Sequence, residues 1–221
     1  MGDRWVTFDC FGTIVDWNAA LGDALVSVFE GEPRDQLIDE FHDAERDVKH
    51  ASGFQLYRDV LAASMRQIAS RRDRELSADE ADAIARAWPA IVPFADSAAG
   101  LSDLRERGWR LAILTNCDDD LFAITREQIP VPFDEAVTAK SIRSYKPDLE
   151  HFEEFRSRVA PDAWVHAANS WVHDIEPAAQ LGLPRVWVDR DDSGHDASRA
   201  SARITGFATL ADTVDRVAAA G

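Results

Sequence analysis

Four short, nearly uninterrupted apolar runs constrain this chain most. They are 5–8 (Trp-Val-Thr-Phe), 111–114 (Leu-Ala-Ile-Leu), 163–168 (Ala-Trp-Val-His-Ala-Ala) and 185–188 (Arg-Val-Trp-Val). Each is too short for a helix, and continuous apolar character is what strands buried on both faces require. A weaker fifth run lies at 135–138. Helical patterns separate and follow them, at 97–107, 119–128, 148–159, 175–181 and 210–219. Strand alternating with helix predicts an α/β fold with a parallel sheet and right-handed crossovers.

Residues 17–92 break that alternation. They read as helix after helix, at 19–30, 34–49, 56–70 and 78–88, punctuated by Pro33, Gly53 and Pro89. The last opens on Ser77-Ala-Asp-Glu80, a capping box in which the serine and glutamate satisfy each other's free N–H groups. A helical segment inserted after the first strand predicts a second layer over the sheet. The expected division is 1–16 with 93–221 as a discontinuous core, and 17–92 as a helical cap.

Length and composition set outer bounds. The 221 residues suffice for one large domain or a domain with a sizeable insertion. No run of about 18 apolar residues occurs, so no membrane span is expected. No apolar segment precedes a small-residue cleavage site near the N-terminus, so a cytoplasmic location is expected. Cys10 and Cys117 are too few for a disulfide framework and lack zinc-ligand spacing. The net charge of −16 argues against nucleic acid and anionic membrane as partners, because both need a cationic surface. Of 24 basic residues only three are lysines, at 49, 140 and 146, so each lysine merits attention.

In an open parallel sheet, ligands bind beyond the carboxyl ends of the strands. Asp9-Cys-Phe-Gly-Thr13 follows the first strand and Thr115-Asn116 the second. Lys146-Pro147-Asp148 follows the weak strand, and Asn169-Ser170 with Asp174 follows the next. Taken singly, each is an ordinary turn, cap or loop residue. Together they bring two acids, a lysine and several hydroxyl and amide groups to one edge of the sheet, as a catalytic site requires.

Those four segments, Asp9-x-x-Gly12-Thr13, Thr115-Asn116, Lys146-Pro147 and Asn169-x4-Asp174, resemble in order and approximate spacing the motifs of the haloacid dehalogenase superfamily. The resemblance covers essentially the whole chain. It implies a Rossmann-like core with a C1-type helical cap. It also implies Asp9 as a nucleophile that forms a covalent ester or acyl-phosphate later cleaved by water. Lys146 would neutralise and orient Asp9. Thr115 and Asn116 would bind the substrate's anionic group, Gly12 would permit the tight turn, and Thr13 would support the loop.

Within that superfamily, phosphatases carry a second Asp two residues after the nucleophile, which protonates the leaving group. Here that position is Phe11, which has no proton to give. Their fourth motif opens on a Mg2+-binding acid; here it is Asn169, a weaker ligand for a hard cation. A halide leaves without protonation. Phe11, Asn169 and the stretches LAILTN and YKPD are similar to those of L-2-haloacid dehalogenases. The chain departs from them where they place an arginine on an early cap helix: the aligned residue is His42, with Arg46 one turn on. It also has Phe152 for a tyrosine, Ala167 for a serine and Val172 for an aspartate, the acid coming instead at Asp174.

The resemblance implies metal-independent dehalogenation of a small 2-halocarboxylate. Asp9, Lys146, Asn169 and Asp174 would be the catalytic set. Phe11, Thr13, Thr115, Asn116, His42 and Trp17 would face the substrate, with no metal and no cofactor. Trp17, Phe41 and Tyr57 fit either an apolar pocket wall or the interior of the cap. The alternatives are a Mg2+-dependent phosphatase with atypical motifs, a binding protein of this fold without catalysis, and a phosphonoacetaldehyde hydrolase using Lys49 as a Schiff base. Lys49 otherwise reads as a solvated helix-end cation, and His166 as a hydrogen-bonded core histidine. A homodimer through an exposed cap face is compatible with the pattern.

Overall fold

The structure, a computed structural model, describes residues 2–51 and 53–220. Six parallel strands form one sheet in the order β3-β2-β1-β4-β5-β6. They are β1 Arg4–Phe8, β2 Arg110–Thr115, β3 Glu135–Thr138, β4 Ala163–Ala168, β5 Arg185–Val188 and β6 Ala202–Ile204. The five strands expected from the apolar runs are present. β6 is the addition: three residues with one buried side chain, too short and too polar to stand out in sequence. After β1 the chain builds β2 and β3 on one side and then crosses back to β4 on the other. The strand order therefore reverses at β1, and the crevice beside its carboxyl end is where such sheets bind ligands.

The helical segment forms three long helices, α1 Trp17–Val28, α2 Arg34–Ala51 and α3 Tyr57–Ser70. In α2 the buried residues Leu37, Phe41 and Ala44 recur at helical spacing; Asp35 lies in its first turn and Lys49 and His50 in its last, as the helix dipole favours. The expected helix at 78–88 is instead two short ones, α4 Ala78–Ala81 and α5 Ala83–Ala87, followed by a 3-10 turn. The break falls at Asp82, whose backbone leaves the helical region. The Ser77–Glu80 capping box forms as expected. No helix among the described residues is long and apolar enough to cross a membrane.

Two connections join this layer to the sheet side by side. The Asp16 N–H donates to the Val92 carbonyl at 2.9 Å, and the Phe94 N–H to the Ile14 carbonyl at 3.0 Å. Three further links help to seat the layer. Trp88 Nε1 donates to the Leu121 carbonyl at 2.9 Å, and the Tyr145 hydroxyl to the Gln55 carbonyl at 2.9 Å. The third is a cap supplied from afar. Leu56, at the start of α3, has no side chain that can accept from the helix. The buried Asp118 of the core accepts instead from the Tyr57 and Arg58 N–H groups, at 3.0 Å each. One carboxylate thus satisfies two orphan donors and joins the layers. Asp118→Ala is expected to cost about 1–3 kcal/mol, the range for leaving a buried charge-assisted cap unmade. Urea unfolding of the purified variant measures it.

Candidate active site

The β1 strand ends at Phe8, and the chain turns at once. The Cys10 carbonyl accepts from the N–H groups of Thr13, Ile14 and Val15. Gly12 has a φ of +83°, a backbone region that side chains other than glycine rarely adopt. This turn sets Asp9 over the sheet edge, 7% exposed. Its Oδ2 accepts from the Thr13 hydroxyl at 2.9 Å and its Oδ1 from Lys146 Nζ at 2.9 Å. Thr13 Oγ1 in turn accepts from the Asn169 N–H at 2.9 Å, tying the first and fourth segments together.

Lys146 is 2% exposed and donates three hydrogen bonds: to Asp9, to the Leu114 carbonyl at 2.7 Å and to Asp174 Oδ1 at 2.6 Å. All three ammonium hydrogens are committed. Its loop is held by Asn116, whose Oδ1 accepts from the Lys146 N–H at 2.7 Å and whose Nδ2 donates to the Lys146 carbonyl at 2.9 Å. Expected as a substrate ligand, the Asn116 amide is thus engaged at both ends in positioning the lysine. Thr115 lies on the same cavity wall, and its buried hydroxyl has no partner among the described residues.

Asp174 sits on a π turn, Trp171–Ile175, an irregularity common at functional sites. It is completely buried. Oδ1 accepts from Lys146 and meets His166 Nε2 at 3.0 Å, while Oδ2 has no partner among the described residues. His166 Nδ1 lies 2.9 Å from the Thr7 hydroxyl, which accepts from Trp164 Nε1 at 2.8 Å. Thr7 is therefore free to donate its own hydrogen to Nδ1. The ring proton then lies on Nε2, pointing at the Asp174 carboxylate. His166 is a hydrogen-bonded core histidine, as the sequence suggests, but it also reaches the site through Asp174.

Two carboxylates share one ammonium here. Burial raises the Asp9 pKa; the Lys146 charge opposes that, and the Asp174 charge adds to it. Burial would also raise Asp174, but Lys146 and His166 outweigh it and hold Asp174 below the usual range. For Lys146 burial lowers the pKa, and the two carboxylates more than reverse the effect, so the lysine stays charged. Asp9 is thus the carboxylate that the ammonium holds less tightly.

Two nearby histidines are kept neutral. His151 Nε2 donates to the Thr115 carbonyl at 3.1 Å, and burial with the Lys146 charge lowers its pKa to about 3. Burial and Lys49 lower His173 to about 4. Unfolded imidazoles bind protons near pH 6.5, so between there and about pH 4 the unfolded chain holds more protons. Stability should therefore fall as pH drops through this window. His151→Gln should flatten the fall, as thermal unfolding at stepped pH would show.

Above the site lies a cavity of about 890 Å3 between sheet edge and helical layer, lined by residues of both. Phe11 stands in its wall against Trp88, ring centroids 5.0 Å apart, and Trp17, 6.0 Å away. Trp17 also packs on Phe41, so it serves both as cavity wall and as part of the helical layer's interior. His42 lines the cavity with its side chain 40% exposed. Arg46 reaches the cavity rim but pairs with Asp43, its side chain 62% exposed. Asn169 Nδ2 donates to Asp191 at 3.1 Å.

Lys49 is not the solvated cation expected from its place at a helix end. Its side chain is 11% exposed, bonded to Glu45 at 2.7 Å, between the rings of Tyr57 and Tyr145. The i,i+4 spacing of Glu45 and Lys49 signals their pairing. Their burial depends on Tyr145 from the core, which helical spacing does not reveal.

No protein-family model matches the chain. A curated (S)-2-haloacid dehalogenase from Pseudomonas sp. strain YL is 24% identical over 199 residues, 85% of this chain and 83% of the relative. A glyceraldehyde 3-phosphate phosphatase from Methanothermobacter thermautotrophicus is 29% identical over 105 residues, a match to 46% of each protein. The chain thus matches about half the length of that relative. Among solved structures, the L-2-haloacid dehalogenase of Xanthobacter autotrophicus superposes with a TM-score of 0.83 at 15% identity, covering 97% of this chain and 99% of that one. The chain thus shares the fold of these L-2-haloacid dehalogenases.

Proposed function

We propose that this protein is a hydrolase that removes halide from a small 2-halocarboxylate without a metal, through an ester on Asp9. The observation that carries this reading is Phe11. An aromatic side chain packed against Trp88 and Trp17 stands where a phosphate-cleaving site needs a proton donor. The names of the Pseudomonas and Xanthobacter relatives support the same chemistry.

In the first step an Asp9 carboxylate oxygen attacks C2. The carbon–halogen bond breaks and halide departs with the bonding pair, leaving a neutral ester. In the second step water adds to the ester carbonyl, and the acyl carbon–oxygen bond breaks. The products are the 2-hydroxy acid, a regenerated Asp9 carboxylate and a proton released to solvent. Lys146, held charged, offsets the negative charge that develops on the Asp9 oxygens during hydrolysis. Asp174 fixes Lys146, and His166 and Thr7 fix Asp174.

The competing reading, a Mg2+-dependent phosphatase, draws on the Methanothermobacter relative. Magnesium wants several oxygen ligands in octahedral order. Here Lys146 Nζ bridges Asp9 and Asp174, and the Asn169 amide nitrogen is turned to Asp191. Among the described residues, no group of three or more His, Cys, Asp or Glu side chains is set to hold a metal. These contacts favour the reading without the ion.

A panel of 2-chloropropionate, fluoroacetate and p-nitrophenyl phosphate, each with Mg2+ or EDTA, tests the reading. Halide release indifferent to EDTA is expected. Phosphate release that requires Mg2+, with no halide from either haloacid, would overturn it.

A further inference from the structure

Lys49 has more hydrogen-bonding capacity than its surroundings use. An ammonium has three donors, and burying one is costly unless they find acceptors. Among the described residues Lys49 donates to Glu45 Oε1 alone, at 2.7 Å. Its remaining surroundings include two ring faces, with centroids 5.1 Å (Tyr57) and 5.0 Å (Tyr145) from Nζ. Those rings attract a cation but accept no conventional hydrogen bond. Both rings are fixed, Tyr57 by a 2.8 Å bond to Glu45 Oε1 and Tyr145 by its bond to the Gln55 carbonyl. Lys49, both tyrosines and Glu45 all line the cavity that holds Asp9.

Two other cavity cations are committed elsewhere: Lys146 already has three acceptors and Arg46 is paired with Asp43. Arg143 also lines the cavity, 5.2 Å over the Phe54 ring. Glu45 is held ionised: burial would raise its pKa, but Lys49 and His42 reverse that and carry it well below the usual range. The Glu45 and Lys49 charges thus balance, with donors to spare on the cation.

Resting on the dehalogenase reading, we propose that Lys49 anchors the substrate's carboxylate, with Tyr57 and Tyr145 as the walls of its subsite. A carboxylate arriving there supplies a second acceptor to an ammonium that has one of three. The pair is charge-assisted, and the aromatic walls exclude competing water. The substrate class is therefore an anionic 2-halo acid, in preference to its neutral amide or ester. Lys49, beyond both His42 and Arg46 on α2, would then be the cap cation that reads the acid.

The test compares wild type with Lys49→Met, Lys49→Arg and the double variant Glu45→Gln/Lys49→Met, which leaves no unpaired buried charge; circular dichroism checks folding. Turnover of 2-chloropropionate is set against that of 2-chloropropionamide, and propionate binding is followed by tryptophan fluorescence. Loss of the cation should raise KM for the acid by about tenfold or more, the scale of one charge-assisted bond. It should leave kcat within about threefold and amide turnover unchanged, and Arg should recover part of the loss. A structural ion pair would change both substrates alike, and that result overturns the proposal. Propionate binding that depends on Lys49 without halide release would overturn the dehalogenase reading and keep the anchor. Halide release with propionate binding indifferent to Lys49 would do the reverse.

Discussion

Asp9→Asn is expected to lower halide release by about 10^4-fold or more, the scale of losing a catalytic nucleophile, while leaving the protein as stable as wild type or more so. The amide keeps the shape of the carboxylate but gives up its negative charge. The stability half follows from the sharing of Lys146. Asp9 and Asp174 both bond to one ammonium, and burial together with the Asp174 charge raises the Asp9 pKa. The folded protein therefore holds ionised Asp9 at some cost. Removing that charge leaves Lys146 and Asp174 as a matched pair. Loss of activity with an unchanged or raised Tm marks a group kept for function at the expense of stability. Halide assay and calorimetry on one sample read both.

Lys146→Met should also abolish turnover, but with the opposite effect on stability. Methionine fills much of the lysine volume and supplies no charge. Asp174 is completely buried and would keep only His166, while Asp9 would keep only Thr13. Leaving a buried charge unpaired costs about 3–5 kcal/mol. Lowering the pH should recover part of this loss, because protonating the two carboxylates removes the unpaired charge. The midpoint of urea unfolding at neutral and acid pH measures both effects. The two variants separate roles that activity alone cannot: one acid is dispensable to the fold, and the cation is not.

Much of this arrangement is legible in the sequence because parallel strands buried on both faces are nearly continuous in apolar residues. The strand ends therefore show where Asp9, Thr115 and Asn169 fall. Lys146 follows the weak β3, and the structure brings it to the same edge. The Thr7–His166–Asp174 chain is harder to see. Thr7 and His166 are polar residues inside two separate apolar runs, and they are Cα partners across β1 and β4. Two buried polar groups in an apolar sheet need partners, but the pairing depends on strand order, which the runs do not reveal. Asp118 reads as an ordinary loop acid before a helix, yet it caps α3 from 60 residues away in sequence. Lys49 reads as a surface cation until Tyr145 is brought against it. In each case the missing information is a long-range contact between layers, invisible to local periodicity.

A single turnover in H2 18O tests the central claim most directly, using enzyme in excess over 2-chloropropionate and mass spectrometry of both product and protein. Attack by Asp9 on C2, followed by attack of water on the ester carbonyl, puts the solvent oxygen into Asp9. The account thus predicts unlabelled 2-hydroxypropionate and an 18O-labelled peptide containing Asp9. Label in the 2-hydroxyl of the product, with the Asp9 peptide unlabelled, would mean that water attacks the substrate directly and would contradict it.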